Sequence, residues 1–152
     1  AACGVSVGSI YNYFSSKSDL IGATVESVWC EIFHRSEDDA VFHDVQACIT
    51  WIYARMAYGY ARYPGFFTLH SLGFMREEKD DGKRRMQQTW QHIFKGLCTV
   101  LKQDEKIRKD AFNEHFTAEK FAGVLFSQML SALLQQDYDP SAVLEIVRRT
   151  LY

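Results

Sequence analysis

Gly8, Ser9, Asn12 and Tyr13 share one face of a short predicted helix, and nothing on that face is charged. An amide such as Asn12 makes a bidentate pair with adenine in a major groove. A phenol such as Tyr13 donates to phosphate while its ring packs on sugar or a thymine methyl. Small residues let a helix come close to a groove wall. Lys17 follows in the next turn, where an ammonium meets a phosphate backbone. This is the chemistry of contact with a nucleic acid.

The elements around that face are those needed to present it. Gly4 suits the end of a preceding helix, because the residue after a helix often adopts positive φ. Ser6 is a good N-cap for a helix over about Val7 to Phe14. Val7, Ile10 and Phe14 stand at i, i+3 and i+7 and turn inward, with Tyr11 at the border. Helix period alone fits an ordinary capped amphipathic helix. The whole string, a glycine turn followed by Y-x-Y-F-x-x-K-x-x-L, is far more specific.

Gly4-Val5-Ser6, Gly8-Ser9-Ile10-Tyr11, Tyr13-Phe14 and Lys17-x-Asp19-Leu20 together resemble the signature of TetR-type helix-turn-helix transcriptional regulators. The resemblance implies an all-α fold: a helix-turn-helix remnant, then a helical-bundle domain for ligand binding and dimerisation. It places Ser6, Gly8, Ser9, Tyr11, Asn12, Tyr13 and Lys17 at the family's DNA-contacting positions. Val7 falls at such a position too, but helical phase turns it inward, and it is left out of the site. In the family a basic arm, a first helix and most of a second precede the residue matching Gly4. The chain opens inside the motif, so residues 1–152 alone are expected to bind DNA poorly. The expected division is 1–18 for the end of the DNA-binding domain, 19–36 for a connecting helix and 37–152 for the ligand-binding and dimerisation domain.

With 152 residues, 47% of them hydrophobic, the chain holds enough apolar material for one real core. Two prolines and nine glycines favour long helices. A net charge of −2 is low for a nucleic-acid binder, although attraction to phosphate resides in a local patch. No apolar run is long enough to span a membrane. Cys3, Cys30, Cys48 and Cys98 are widely spaced without a C-x-x-C pair. They read as small buried hydrophobes in a cytoplasmic protein, not as zinc ligands.

Further along, Ser18 is the expected cap of a helix running to about Ser36, with an apolar stripe of Leu20, Val25, Val28, Trp29, Ile32 and Phe33. This helix joins the head to the body, so any signal between them passes along it. Glu31 to His34 reads E-x-x-H, half of a di-iron bundle motif, but the chain holds no second copy. Asp44 is placed to cap a helix to Tyr63 that is apolar nearly all round and therefore central. Pro64-Gly65 ends it. Phe66 to Phe74 reads as a short aromatic helix. Arg76 to Lys83 reads as a charged loop turning at Asp80-Asp81-Gly82, with Lys83-Arg84-Arg85 solvated. From about Gly82 to Gln103, Met86, Trp90, Phe94, Leu97 and Leu101 form a helical stripe. After a polar stretch, Thr117 caps a helix to about Gln136. Asp139-Pro140 opens the last one, with proline at its first position.

The last two helices carry more apolar surface than a small bundle hides, and in the resembled family they form a four-helix homodimer interface. A twofold dimer sets two heads about 34–36 Å apart for successive major grooves. Trp51, Arg55, Tyr58, Phe67, Phe74, Trp90, Phe94, Phe121 and Met129 are candidates to line a pocket for a small hydrophobic or aromatic effector, or else to fill the core. The resemblance thus implies a regulator, not an enzyme, without cofactor or membrane partner. It binds double-stranded operator DNA, as a repressor released by its effector. Two alternatives stay open: a dimeric small-molecule-binding module that never touches DNA, and an all-α metal-carboxylate enzyme.

Overall fold

The computed structural model describes residues 13–33, 39–66 and 80–152, and every element among them is helical. In order these are α1 (Lys17–Ile32), a 3-10 turn (Asp39–His43), α2 (Val45–Arg62), α3 (Asp80–Gln103), α4 (Ala118–Gln135) and α5 (Ser141–Leu151). Among the described residues this is an all-α bundle. No helix among the described residues is long and apolar enough to cross a membrane.

α1 starts earlier than expected. Its cap is Ser16, not Ser18: the Ser16 hydroxyl accepts from Asp19 N at 3.1 Å. The Asp19 carboxylate reaches back to accept from Ser15 N at 3.2 Å. That reciprocal arrangement needs the acid three residues after the cap, a spacing Ser16 has and Ser18 lacks. The helix closes at Phe33, whose N–H donates to Trp29 O at 2.9 Å. Residues 34–38, where the sequence continued it, lie outside the described residues. Val25, Trp29 and Ile32, at i, i+4 and i+7, are the buried stripe. Cys30 is exposed on the opposite side, against the expectation of burial. Cys48 is buried and Cys98 half-buried.

α2 is capped by Asp44, which accepts from Ala47 N at 2.8 Å. It packs against α1, the 3-10 turn, α3 and α5, so it is central in its neighbours. It is not buried all round. Val45, Cys48, Ile49, Ile52, Tyr53 and Met56 turn inward, while Ala54, Ala57, Tyr58, Tyr60 and Ala61 stay exposed. Alanine has little surface to hide and tyrosine keeps a wet hydroxyl, so a pattern that counts both as apolar overstates burial. After α2 the chain turns at Tyr63-Pro64-Gly65. Gly65 takes φ 79°, the one turn position among the described residues where glycine's freedom is used.

α3 begins at Asp80, so Asp80-Asp81-Gly82 is helical and not the turn that its composition implies. Acidic residues suit the positive end of a helix dipole, and one glycine costs a helix only about 1 kcal/mol. Leu97, Val100 and Leu101 are buried, with Trp90, Ile93 and Phe94 packed beside them. Residues 104–117 make turns without a helix. Thr117 caps α4, accepting from Lys120 N at 3.2 Å. For α5, Asp139 accepts from Ser141 N at 2.9 Å, and Pro140 has helical angles and accepts from Leu144 N at 2.8 Å. Pro140 is thus the cap itself and Ser141 the first helical residue, one position later than the sequence implied.

One polar knot closes the bundle. Asp104, 5% exposed, accepts from Val45 N and Lys106 N, each at 2.9 Å, and from the Tyr152 hydroxyl. It joins the start of α2, the end of α3 and the end of α5. Burial and this hydrogen bond hold the Tyr152 phenol well above its ordinary pKa, so it stays a donor. Lys106 Nζ meets the capping Asp44 at 2.7 Å, and Arg108 N donates to Leu151 O at 2.9 Å.

Candidate functional site

Two places bear on function: the head at the start of α1, and a cleft along α2 and α3. Of the head residues, Ser6, Gly8, Ser9, Tyr11 and Asn12 lie outside the described residues. Tyr13 is 84% exposed, and Lys17 stands exposed as the first residue of α1. Exposed Ser15 and Ser16 lie between them, so a phenol, two hydroxyls and an ammonium gather at the positive end of a helix dipole. Such an end attracts phosphate.

The cleft has a volume of about 500 Å³. Its floor is Cys48 and Ile52 from α2 with Ile93, Leu97 and Val100 from α3. His92, Gly96, Thr99 and Gln103, at i, i+4, i+7 and i+11, make its outer lip. Phe42 and His43 of the 3-10 turn cover one side, and Phe33, the end cap of α1, closes it. Burial, with a smaller contribution from the charge of Asp44, pushes the Cys48 thiol up to about 12, so it stays protonated and acts as wall. No Asp, Glu, Lys or Arg is among the described lining residues.

Rings connect this cleft to α1. Trp51 meets Phe42 edge-on at 5.4 Å and Phe33 at 6.2 Å, and Phe33 stacks on Trp29 of α1 at 5.4 Å. Arg55 fastens the same junction. Its Nε donates to Ile32 O and its Nη2 to Glu31 O at 3.0 Å, sealing two carbonyls at the end of α1. The guanidinium also lies 4.3 Å over the Tyr58 ring.

The pocket candidates therefore separate. Trp51 lines the cleft. Arg55 caps α1 with Tyr58 beside it, exposed. Trp90 and Phe94 pack edge-on against Phe126 of α4, at 5.7 and 6.3 Å. Phe121 is core, 2% exposed and 5.4 Å from the Phe116 ring. Met129 lies in the inner seam with Ile49, Tyr53, Leu97 and Val143, where no water fits. Phe67 and Phe74 lie outside the described residues. Sequence reasoning passed over Phe33, Phe42, His43, His92 and Gly96. The available signal was the polar, glycine-bearing stripe beside the apolar one on α3.

Val124 and Leu134 of α4 and Ile146 of α5 are about half exposed (48%, 59% and 49%). Among the described residues no group of three or more His, Cys, Asp or Glu is placed to hold a metal ion.

Among the described residues, then, an all-α bundle carries an exposed, donor-rich helix start and a separate, largely apolar cleft. Residues 1–24 match the family model described as bacterial regulatory proteins, tetR family. No curated protein and no solved structure matches the chain.

Proposed function

We propose that this chain is the effector-binding body and part of the head of a DNA-binding transcriptional regulator. It acts as a homodimeric repressor released from its operator by a small hydrophobic or aromatic effector. The observation that carries the reading is the tetR match over residues 1–24, running into α1. Tyr13 and Lys17 are the described members of the DNA-contacting set; Ser6, Gly8, Ser9, Tyr11 and Asn12 complete it. The effector enters the α2–α3 cleft and packs on Trp51, whose contact with Phe33 passes the change to α1 and the head. A ligand shifts such an equilibrium only by its differential affinity for the two states, with about 10⁴-fold needed for a full switch. The half-exposed apolar residues of α4 and α5 favour those helices as the dimer face.

The test is a titration of the full-length protein against DNA from upstream of its own gene, with random duplex as competitor, at several salt concentrations. The expected result is sequence-preferring binding with a steep salt slope, lost in Asn12→Ala plus Tyr13→Ala. No preference over random duplex at any salt overturns the operator reading. Unchanged binding in the double variant moves the DNA contact away from this head and favours a dimeric binding module.

A further inference from the structure

We infer that the α2–α3 cleft is shaped for a flat, uncharged ring system lying against bared helix backbone at Gly96, its polar edge hydrogen-bonded at the mouth by His43 and His92. This rests on the effector reading above and narrows it to one ligand chemistry.

Gly96 is the central observation. It sits inside α3, more than a turn from either end, where glycine costs about 1 kcal/mol relative to alanine. Nothing in the fold requires it. A Cβ built there meets no atom within 4 Å, so no neighbour packs against the bare backbone. Its φ lies outside the positive region, so any L-residue could adopt it. Gly96 is exposed and borders the cleft, so a side chain there would stand at its edge. A gap at Gly96 in the α3 wall, in a cleft also lined by the Trp51 and Phe42 rings, admits a flat ring better than a globule.

Volume and charge set the rest. A cavity of about 500 Å³ is in the range that holds a small organic ligand. With no charged side chain among the described lining residues, an ionised ligand would leave water without a partner charge. His43 and His92 are exposed on opposite lips, and a neutral imidazole has both a donor and an acceptor. They can serve a neutral amide, phenol or carbonyl.

Calorimetry on the full-length protein tests this with matched probes: 2-naphthamide, 2-naphthoate, 2-naphthylmethylammonium, naphthalene and decahydro-2-naphthamide. The expected order puts 2-naphthamide at least about tenfold tighter than either charged probe and than the puckered, saturated amide. Gly96→Leu should weaken 2-naphthamide by at least about tenfold without lowering the melting temperature. His43→Ala plus His92→Ala should weaken 2-naphthamide but leave naphthalene unchanged. Wild-type affinity in Gly96→Leu, a charged or saturated probe bound as well as the flat neutral one, or no probe bound at all would each overturn the inference. The operator titration on the same samples separates the two readings. Normal DNA binding without probe selectivity sinks this inference alone. Probe selectivity without operator binding sinks the regulator and leaves the cleft assignment standing.

Discussion

The α2–α3 pair is closed on one side and open on the other. At the closed end Asp104 accepts from two backbone amides and a phenol that come from three parts of the chain. The inner seam of Ile49, Tyr53, Leu97 and Met129 leaves no room for water. Along the outer flank the same two helices part around the cleft, with a glycine where a side chain could stand. The closed side supplies the rigidity that allows an open side. A cleft keeps its shape only if its walls are fixed elsewhere, and here the fixing is done at the N-terminus of α2 and the C-terminus of α3.

The contrast breaks most severely in the inner core. Phe121→Ala should destabilise the chain by about 3–5 kcal/mol, since a fully buried ring leaves a cavity that its neighbours cannot fill. Denaturant unfolding reads this. Probe affinity at the cleft should stay within about threefold of wild type, because distant sites are close to additive. A loss below about 1 kcal/mol would mean that the closed side is not tightly packed around Phe121.

The knot comes next. Asp104→Ala strands the Val45 amide and the Tyr152 hydroxyl, with an expected cost of about 3 kcal/mol. Tyr152→Phe removes one of those bonds and should cost about 1 kcal/mol. In the double variant the two costs should fall short of their sum, because the shared bond is lost once. Strict additivity would show that the Tyr152 hydroxyl does not use Asp104.

How far these features could be read in the sequence depends on the distance between partners. Asp44, Thr117 and Asp139 act within three residues of themselves; the first two were legible as caps, and the start near Asp139 was read one residue early. The Ser16 cap was missed by two positions because two serines competed and only the reach of Asp19 decides between them. Asp80-Asp81-Gly82 carried a real turn signal that helix continuity outweighed. Asp104 was not legible at all: its partners Val45 and Tyr152 are 59 and 48 residues away. The cleft was illegible for a different reason. A cavity is what packing leaves over, so of the aromatic candidates Trp51 faces it while Phe121 fills the core, as does the neighbouring candidate Met129, although all look alike in sequence. The head motif was read from residue types, and the family match covers the same stretch.

The open side permits a stabilising change. Gly96→Ala should raise stability by up to about 1 kcal/mol, because alanine is the better helix former and its methyl meets nothing within 4 Å. A thermal or urea melt reads it. The gain should come with weaker 2-naphthamide binding, and that opposition distinguishes a glycine kept for a ligand from one merely tolerated. Lower stability in Gly96→Ala would mean that the position is crowded and the cleft narrower than it looks.

The smallest effect is electrostatic and lies at the closed end. Asp44 has its pKa lowered first by the hydrogen bond from Lys106 and next by the one from Ala47 N, against a smaller opposing push from burial. A carboxylate lowered in the folded state adds stability that is fully present above its unfolded value and is lost as pH falls through the folded value. Asp44→Ala removes both the cap and the ion pair and should cost about 1 kcal/mol at neutral pH. Asp44→Asn keeps a capping oxygen for the Ala47 amide but gives Lys106 no charge to meet, so it should cost a fraction of that. The two variants should also differ in pH response. Against wild type, the deficit of Asp44→Asn should shrink as pH falls below the ordinary carboxylate value and reach zero only past the lowered folded value, where wild-type Asp44 is itself neutral. The deficit of Asp44→Ala should shrink less, since a protonated carboxyl can still accept from the Ala47 amide. Urea melts from about pH 7 down to about pH 3 measure both. A pH-independent deficit in Asp44→Asn would remove the Lys106 pair from the account of how this end is held.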